Sequence, residues 1–183
     1  MKICIDPGHG GEDSGAVGPT GLEESAMALD VSHSLATRLG ELDIDTNLTR
    51  ASDTFVELDD RCKLANRWEA DFFVSVHLNS NGPDASGIET LYASAAGREL
   101  AMPVQIALVA ATGEKDRGVK ERNDLYVLNG TDMPAILVEV GFISHPATEA
   151  KVKSQSYRDT LAAAIAEGIA DYLGLDDEEP ASV

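Results

Sequence analysis

Two hydrophobic rhythms alternate along the chain, short apolar runs and apolar positions spaced three or four apart. Ile3, Cys4 and Ile5 make a run that ends at Asp6-Pro7-Gly8, which predicts a strand over 2–6 and then a glycine-rich polar loop to about residue 22. Loops of that length inside a compact domain are usually functional. From 24 to 42, Leu29, Ala36, Leu39 and neighbouring alanines recur at helical spacing, and 44–48 reads as a second strand. A second helix is expected over 56–68, with Leu58, Cys62, Leu64 and Ala65 on its apolar face, followed by a strand over 71–76 and a turn-rich loop over 77–83. Strands are expected at 87–92, 125–128 and 134–142. Helices are expected at 97–112, where Pro103 marks a kink or restart, and at 157–173, with a further helix start signalled by Ser144 and Pro146.

The order, mostly strand, helix, strand, predicts a single α/β domain with a sheet flanked by helices, spanning 1–175. A chain of 183 residues is long enough for one well-covered core. The end of the chain, 176–183, is acidic and reads as a solvated tail or linker stub. Cys4 and Cys62 have no metal-type spacing and are too few for a disulfide framework, so buried free thiols are expected. With 14 basic against 32 acidic residues the net charge is −18, which disfavours phosphate-backbone binding and predicts no nucleic-acid partner. Adaptation to a salty medium is one hypothesis for the acid excess. No apolar run approaches the ~18 residues of a membrane span, so no membrane partner is expected. Met1-Lys2 runs directly into the first strand without a secretory-signal pattern, which predicts synthesis in the cytoplasm and action after release.

Against this pattern one residue stands out. The run from Pro134 to Phe142 reads as a buried strand, yet it carries Glu139 in its middle. Burying an ionised carboxylate costs several kcal/mol or more unless a partner compensates. His9, His77 and Glu139 all lie in or just beyond an apolar strand near its carboxyl end, the edge where α/β sheets bind ligands. Two histidines and a carboxylate there are the material of a catalytic zinc site. The third ligand should come from the long loop or the first helix, and Glu12, Asp13, Glu23 and Glu24 are all eligible by chemistry. Glu139 itself fits either a ligand or the base beside a metal.

The blocks Asp6-Pro7-Gly8-His9-Gly10-Gly11, Thr49-Arg50, Ala65-Asn66, Ala70-Asp71, Ser75-Val76-His77-Leu78-Asn79, Gly87-Ile88-Glu89-Thr90, Arg117-Gly118-Val119-Lys120 and Leu137-Val138-Glu139-Val140-Gly141-Phe142-Ile143-Ser144 resemble, in order, the motifs of the zinc-dependent N-acetylmuramoyl-L-alanine amidases of the amidase-3 type. The match runs from about residue 2 to 173. The resemblance implies a mixed, mostly parallel sheet of about six strands flanked by helices, with one Zn2+ per chain. It makes His9 and His77 metal ligands and Glu139 the catalytic carboxylate. Gly21, Glu24 and Leu29 match the family frame for the middle ligand, which assigns Glu24. Ser25 stands where the family usually has Lys, Ala28 where Asn is common, and His145 where Asn is frequent.

The reaction so implied is hydrolysis of the amide between the lactyl group of N-acetylmuramic acid and L-alanine in peptidoglycan, the expected partner, by an expected monomer. The chain is then a phage endolysin or the catalytic domain of an autolysin. The region between Thr90 and Gly118 has room for one ordinary helix, which predicts activity without a regulatory partner. A non-catalytic peptidoglycan-binding or amidase-regulating module is the rival, but it should lack a ligand or the catalytic acid. A zinc amidase or peptidase acting on another amide is a third reading. Blander readings apply elsewhere: His33 as a surface or core-edge residue, His145 as a helix start or a cleft residue, Arg117 and Lys120 as carboxylate attractors or solvated loop cations. Arg50 with Asp53 and Asp60 with Arg61 read as structural pairs.

Overall fold

A computed structural model describes residues 1–175; the acidic stretch 176–183 lies outside the described residues. Strands β1 (Lys2–Pro7), β2 (Asp45–Leu48), β3 (Phe72–Asn79), β4 (Ile88–Tyr92), β5 (Asp116–Glu121) and β6 (Ala135–Phe142) form one sheet in the order β2-β1-β3-β6-β4-β5. β1, β2, β3 and β6 are parallel, while β4 runs antiparallel to β6 and β5 runs with β4. The expected mixed, mostly parallel six-stranded α/β sheet is therefore present. Its reversed pair has one consequence for the site: the amino ends of β4 and β5 lie beside the carboxyl ends of β3 and β6.

Helices α1 (Glu24–Glu41), α2 (Leu58–Arg67), α3 (Ala95–Thr112), α4 (Tyr126–Asn129), α5 (Pro146–Val152) and α6 (Gln155–Leu173) complete the chain. Alternate strand residues face opposite sides of a sheet. Ile3, Ile5, Val74, Val76, Ile136 and Val138 pack with Val31 and Leu35 of α1, Leu100 and Leu108 of α3, and Leu161 and Ile165 of α6. Burying each such aliphatic side chain contributes about 1.5–3 kcal/mol. On the other face Cys4, Phe73, Leu91, Ala135 and Leu137 meet only short elements, Cys62 and Ala65 of α2 and Val127 and Leu128 of α4. Both cysteines are buried and free. This second cover stops short of the strand ends, where the apolar residues give way to His77 and Glu139. No helix among the described residues is long and apolar enough to cross a membrane.

Several local expectations need correction. Residues 125–128 are not a strand: Tyr126–Asn129 is a single helical turn whose Val127 and Leu128 are buried against the second face. The strand of that region is Asp116–Glu121, which carries Arg, Gly, Lys and two acids. It is an edge strand, and charged edge residues erase the apolar alternation by which strands are read. Pro103 lies inside α3 without ending it. β3 continues through His77 to Asn79, with an irregular register between those two residues. α5 is capped by His145, whose ring accepts from the Thr148 N–H, while Ser144 donates its hydroxyl to the Gly82 carbonyl. Arg117 and Lys120 stand on β5, not in a loop.

Candidate active site

His9 follows β1 in a left-handed backbone conformation (φ 60°), uncommon for a residue with a side chain. Two arginines hold it there. Arg61 donates to the carbonyls of Val56, Pro7 and His9 and to the buried carboxylate of Asp6 at 2.8 Å. Arg50 donates to the carbonyls of Pro7, Gly8, Ser25 and Ser52. Asp6 also accepts from the hydroxyls of Thr49 (2.6 Å) and Ser75 (2.7 Å), so three elements converge on this ion pair. Arg50 and Arg61 are thus structural, as expected, but with partners other than Asp53 and Asp60.

The loop then returns to α1. Val17 bridges to Glu23, and the buried Glu149 of α5 accepts from the backbone N–H and hydroxyl of Thr20, which ties the loop down just before α1 begins. Glu24, the first residue of α1, is turned inward and 4% exposed. Its Oε1 lies 3.2 Å from His9 Nε2, 2.9 Å from His77 Nδ1 and 3.0 Å from the Leu78 N–H, while Oε2 accepts from Ala16 N–H. The backbone is cut to fit: a Cβ on Gly8 would stand 2.3 Å from the His77 ring, and one on Gly15 would stand 2.6 Å from the His9 ring and 2.7 Å from Glu24 Oε2. Gly15 also has φ 64°, a conformation that disfavours any side chain.

Of the four acids eligible by chemistry, only Glu24 joins the histidines. Glu12 and Glu23 are exposed, and Asp13 accepts from His9 Nδ1 at 2.8 Å. That bond commits Nδ1 to carry the proton and leaves Nε2 as the free donor atom, the usual arrangement behind a metal-binding histidine. One atom from each of His9, Glu24 and His77 lies within 4.8 Å of the others. Two imidazole nitrogens and a carboxylate oxygen fit a three-ligand zinc site with a fourth position open.

Glu139 is the register partner of His77 on one side and of Glu89 on the other, so the three share one row on the thinly covered face. Its Oε2 is sealed from solvent and accepts no hydrogen bond among the described residues. Burial pushes the Glu139 carboxyl up to about 7; the nearby His77 charge opposes this, and those of Glu24 and Glu89 add to it. His9 and Glu24 shift oppositely. Burial would lower His9, but its bonds to Glu24 and Asp13 outweigh that and raise it to about 9. Burial would raise Glu24, but His77 and His9 hold it well below the carboxylate range. A cation at this point would displace the protons that the three groups otherwise share.

Beside the histidines opens a cleft of about 440 Å³ between β3, α2 and α4, lined by Phe55, Val56, Leu58, Tyr126 and Leu137 as well as His9 and His77. His33 is exposed and its ring bonds to the Ala51 carbonyl, remote from the row. Sequence reasoning missed Asp6 and Arg61 as the support of His9, and Glu149 as the tether of the loop. Asp6 carried a signal like that of Glu139, an acid within an apolar strand; Glu149, in a surface-like helix, carried none.

Residues 3–171 match the family described as Amidase_3, N-acetylmuramoyl-L-alanine amidase. The chain is 39% identical over 175 residues to the N-acetylmuramoyl-L-alanine amidase LytC of Bacillus subtilis, covering 93% of this chain but only 35% of that protein. It is 38% identical over 182 residues to an endolysin of Bacillus phage SPP1, covering 94% of this chain and 66% of the endolysin. Its fold matches the N-acetylmuramoyl-L-alanine amidase AmiC2 of Nostoc punctiforme with a TM-score of 0.91 at 39% identity, covering 95% of this chain and 97% of that one. With the expected sheet, the expected residues gathered at its edge and a family match over nearly its whole length, the chain belongs to the N-acetylmuramoyl-L-alanine amidases of the Amidase_3 family.

Proposed function

We propose that this protein hydrolyses the amide joining the lactyl group of N-acetylmuramic acid to L-alanine in peptidoglycan, with one zinc ion held by His9, Glu24 and His77 and with Glu139 as the catalytic acid and base. The observation that carries the reading is the row itself: a three-donor cluster beside a carboxylate whose Oε2 is shut from solvent and accepts no hydrogen bond among the described residues. Zinc bound there supplies Lewis acidity, which activates water and polarises an amide carbonyl. Glu139, with its carboxyl near 7, is matched to take the proton from the attacking water and return it to the departing alanine nitrogen. The C–N bond breaks, the lactyl group leaves as a carboxylic acid and the peptide gains a free amine. Asp13 fixes the His9 tautomer, and Arg50 with Arg61 holds the loop that presents it. The apolar cleft wall offers faces for the sugar ring and methyl groups of the substrate.

We assign this activity to residues 1–175 and the site of action to the cell wall, reached after release of an endolysin or as the catalytic part of an autolysin. The single helix between β4 and β5, α3, packs on α6 within the core opposite the cleft, which supports activity without a partner. The decisive experiment is elemental analysis of wild type and His77→Ala together with release of alanine amino termini from purified peptidoglycan, before and after chelation. About one zinc per chain, lost in the variant, with chelator-sensitive amine release, is the expected result. Metal-free protein that bound the wall without releasing amines would make it a binding module instead.

A further inference from the structure

Strand β5 carries a feature that the reaction above does not use. Glu89 of β4, buried beside Glu139, accepts on one oxygen from Asn79 Nδ2 (3.0 Å) and on the other from both Arg117 Nε (2.9 Å) and Lys120 Nζ (2.5 Å). Two cations thus share one carboxylate, which leaves a positive charge in excess in a chain that is otherwise strongly acidic. Residues three apart on a strand point to opposite faces. Here they do not, because the register of β4 and β5 slips between Ile88 and Thr90. Ile88 faces Asp116 and Thr90 faces Val119, so Gly118 is the extra residue of a β-bulge, with φ 74°. The bulge turns both Arg117 and Lys120 to the face that holds Glu139 and His77.

The two cations are also prepared for a ligand. Arg117 lies over the Phe142 ring with its Cζ 4.6 Å from the centroid, and its Nη2 has no partner among the described residues. Lys120 is 42% exposed and bonds only to Glu89, so two of its three N–H groups are open to solvent. Neighbouring strands lie about 4.8 Å apart, which sets β5 about 10 Å from Glu139, and an extended peptide advances at most about 3.6 Å per residue. The cations therefore stand two to three residues from the amide being cut.

Resting on the amidase reading, we propose that Arg117 and Lys120 form a subsite for a carboxylate on the peptide limb of the substrate, which directs that limb toward β5 and leaves the glycan end to the apolar cleft on the opposite flank. In stem peptides the second residue offers such a group, since it is linked through its side chain and its α-carboxyl is either free or amidated. A paired arginine and lysine distinguish the two forms, because only the free form accepts charge-assisted hydrogen bonds from both.

The test compares alanine-amine release from two preparations of purified peptidoglycan that differ only in whether this carboxyl is free or amidated, for wild type, Lys120→Gln and the remote charge control Arg38→Gln. Wild type and Arg38→Gln are expected to favour the free form by about tenfold in kcat/KM, and Lys120→Gln to reduce that preference to less than about twofold. Equal rates on both preparations in wild type, or a preference that survives in Lys120→Gln, would overturn the subsite while leaving the amidase reading intact. No amine from either preparation would overturn both.

Discussion

Glu139 sits where a carboxylate is costly, with one oxygen shut away and accepting no hydrogen bond among the described residues. Replacing it with glutamine keeps the shape and removes the acid–base capacity of the side chain. Glu139→Gln is expected to retain one zinc per chain by elemental analysis and to lose roughly 10²–10⁴-fold in kcat for amine release. The residue also marks the pH behaviour of the metal-free protein. Its folded value of about 7 exceeds the ordinary 4.5, so the fold favours the neutral form and loses stability as pH rises between those values. His9 is raised from 6.5 to about 9, so its contribution is complete below 6.5 and is lost as pH rises through 9. Glu24 is depressed, so its contribution is lost only in acid, below its ordinary value of 4.5. Urea melts of chelated protein should therefore show stability highest near pH 5–6 and falling toward pH 9; a flat profile would contradict these shifts.

Among elements, the loop from β1 to α1 bears the site and has no periodic structure to hold it. Its geometry comes instead from the buried ion pair of Asp6 with Arg61, from Arg50 and from Glu149. Asp6→Ala leaves the Arg61 charge buried, with the Thr49 and Ser75 hydroxyls unpaired, and should cost about 3–5 kcal/mol in urea denaturation. Gly8→Ala drives a methyl into the His77 ring and should abolish tight zinc binding in a competition titration with a chromophoric chelator while leaving the fold visible by circular dichroism. The strands carrying His77 and Glu139 were legible because their apolar runs are long and buried. β5 was missed and α4 was taken for a strand for the opposite reason: a charged edge strand lacks alternation, and a four-residue apolar helical turn imitates a strand.

For the whole molecule, zinc at 100 times its Kd should stabilise the protein by about 2.7 kcal/mol, which for a domain of this size raises Tm by about 5–10 °C in thermal melts. No shift would speak against a zinc site. Because the net charge is −18, Tm should also rise from low to molar sodium chloride as self-repulsion is screened. The sequence by itself determined the α/β class and the place of His9, His77 and Glu139 near strand ends, while the resemblance of the ordered motif blocks pointed to Glu24 as the carboxylate that joins the two histidines. The class and the strand-end positions follow from local rhythm and residue chemistry, which neighbours along the chain suffice to reveal; Glu24 rested on the resemblance, since chemistry left four acids eligible. Tertiary structure alone decided that Asp13 supports His9 from behind, that Asp6, Arg50 and Arg61 hold a left-handed histidine, and that a bulge brings Arg117 and Lys120 onto Glu89. Each depends on groups between 4 and 55 positions apart meeting at one point, and on the reversed direction of β4 and β5, which no local pattern of hydrophobic and polar residues encodes.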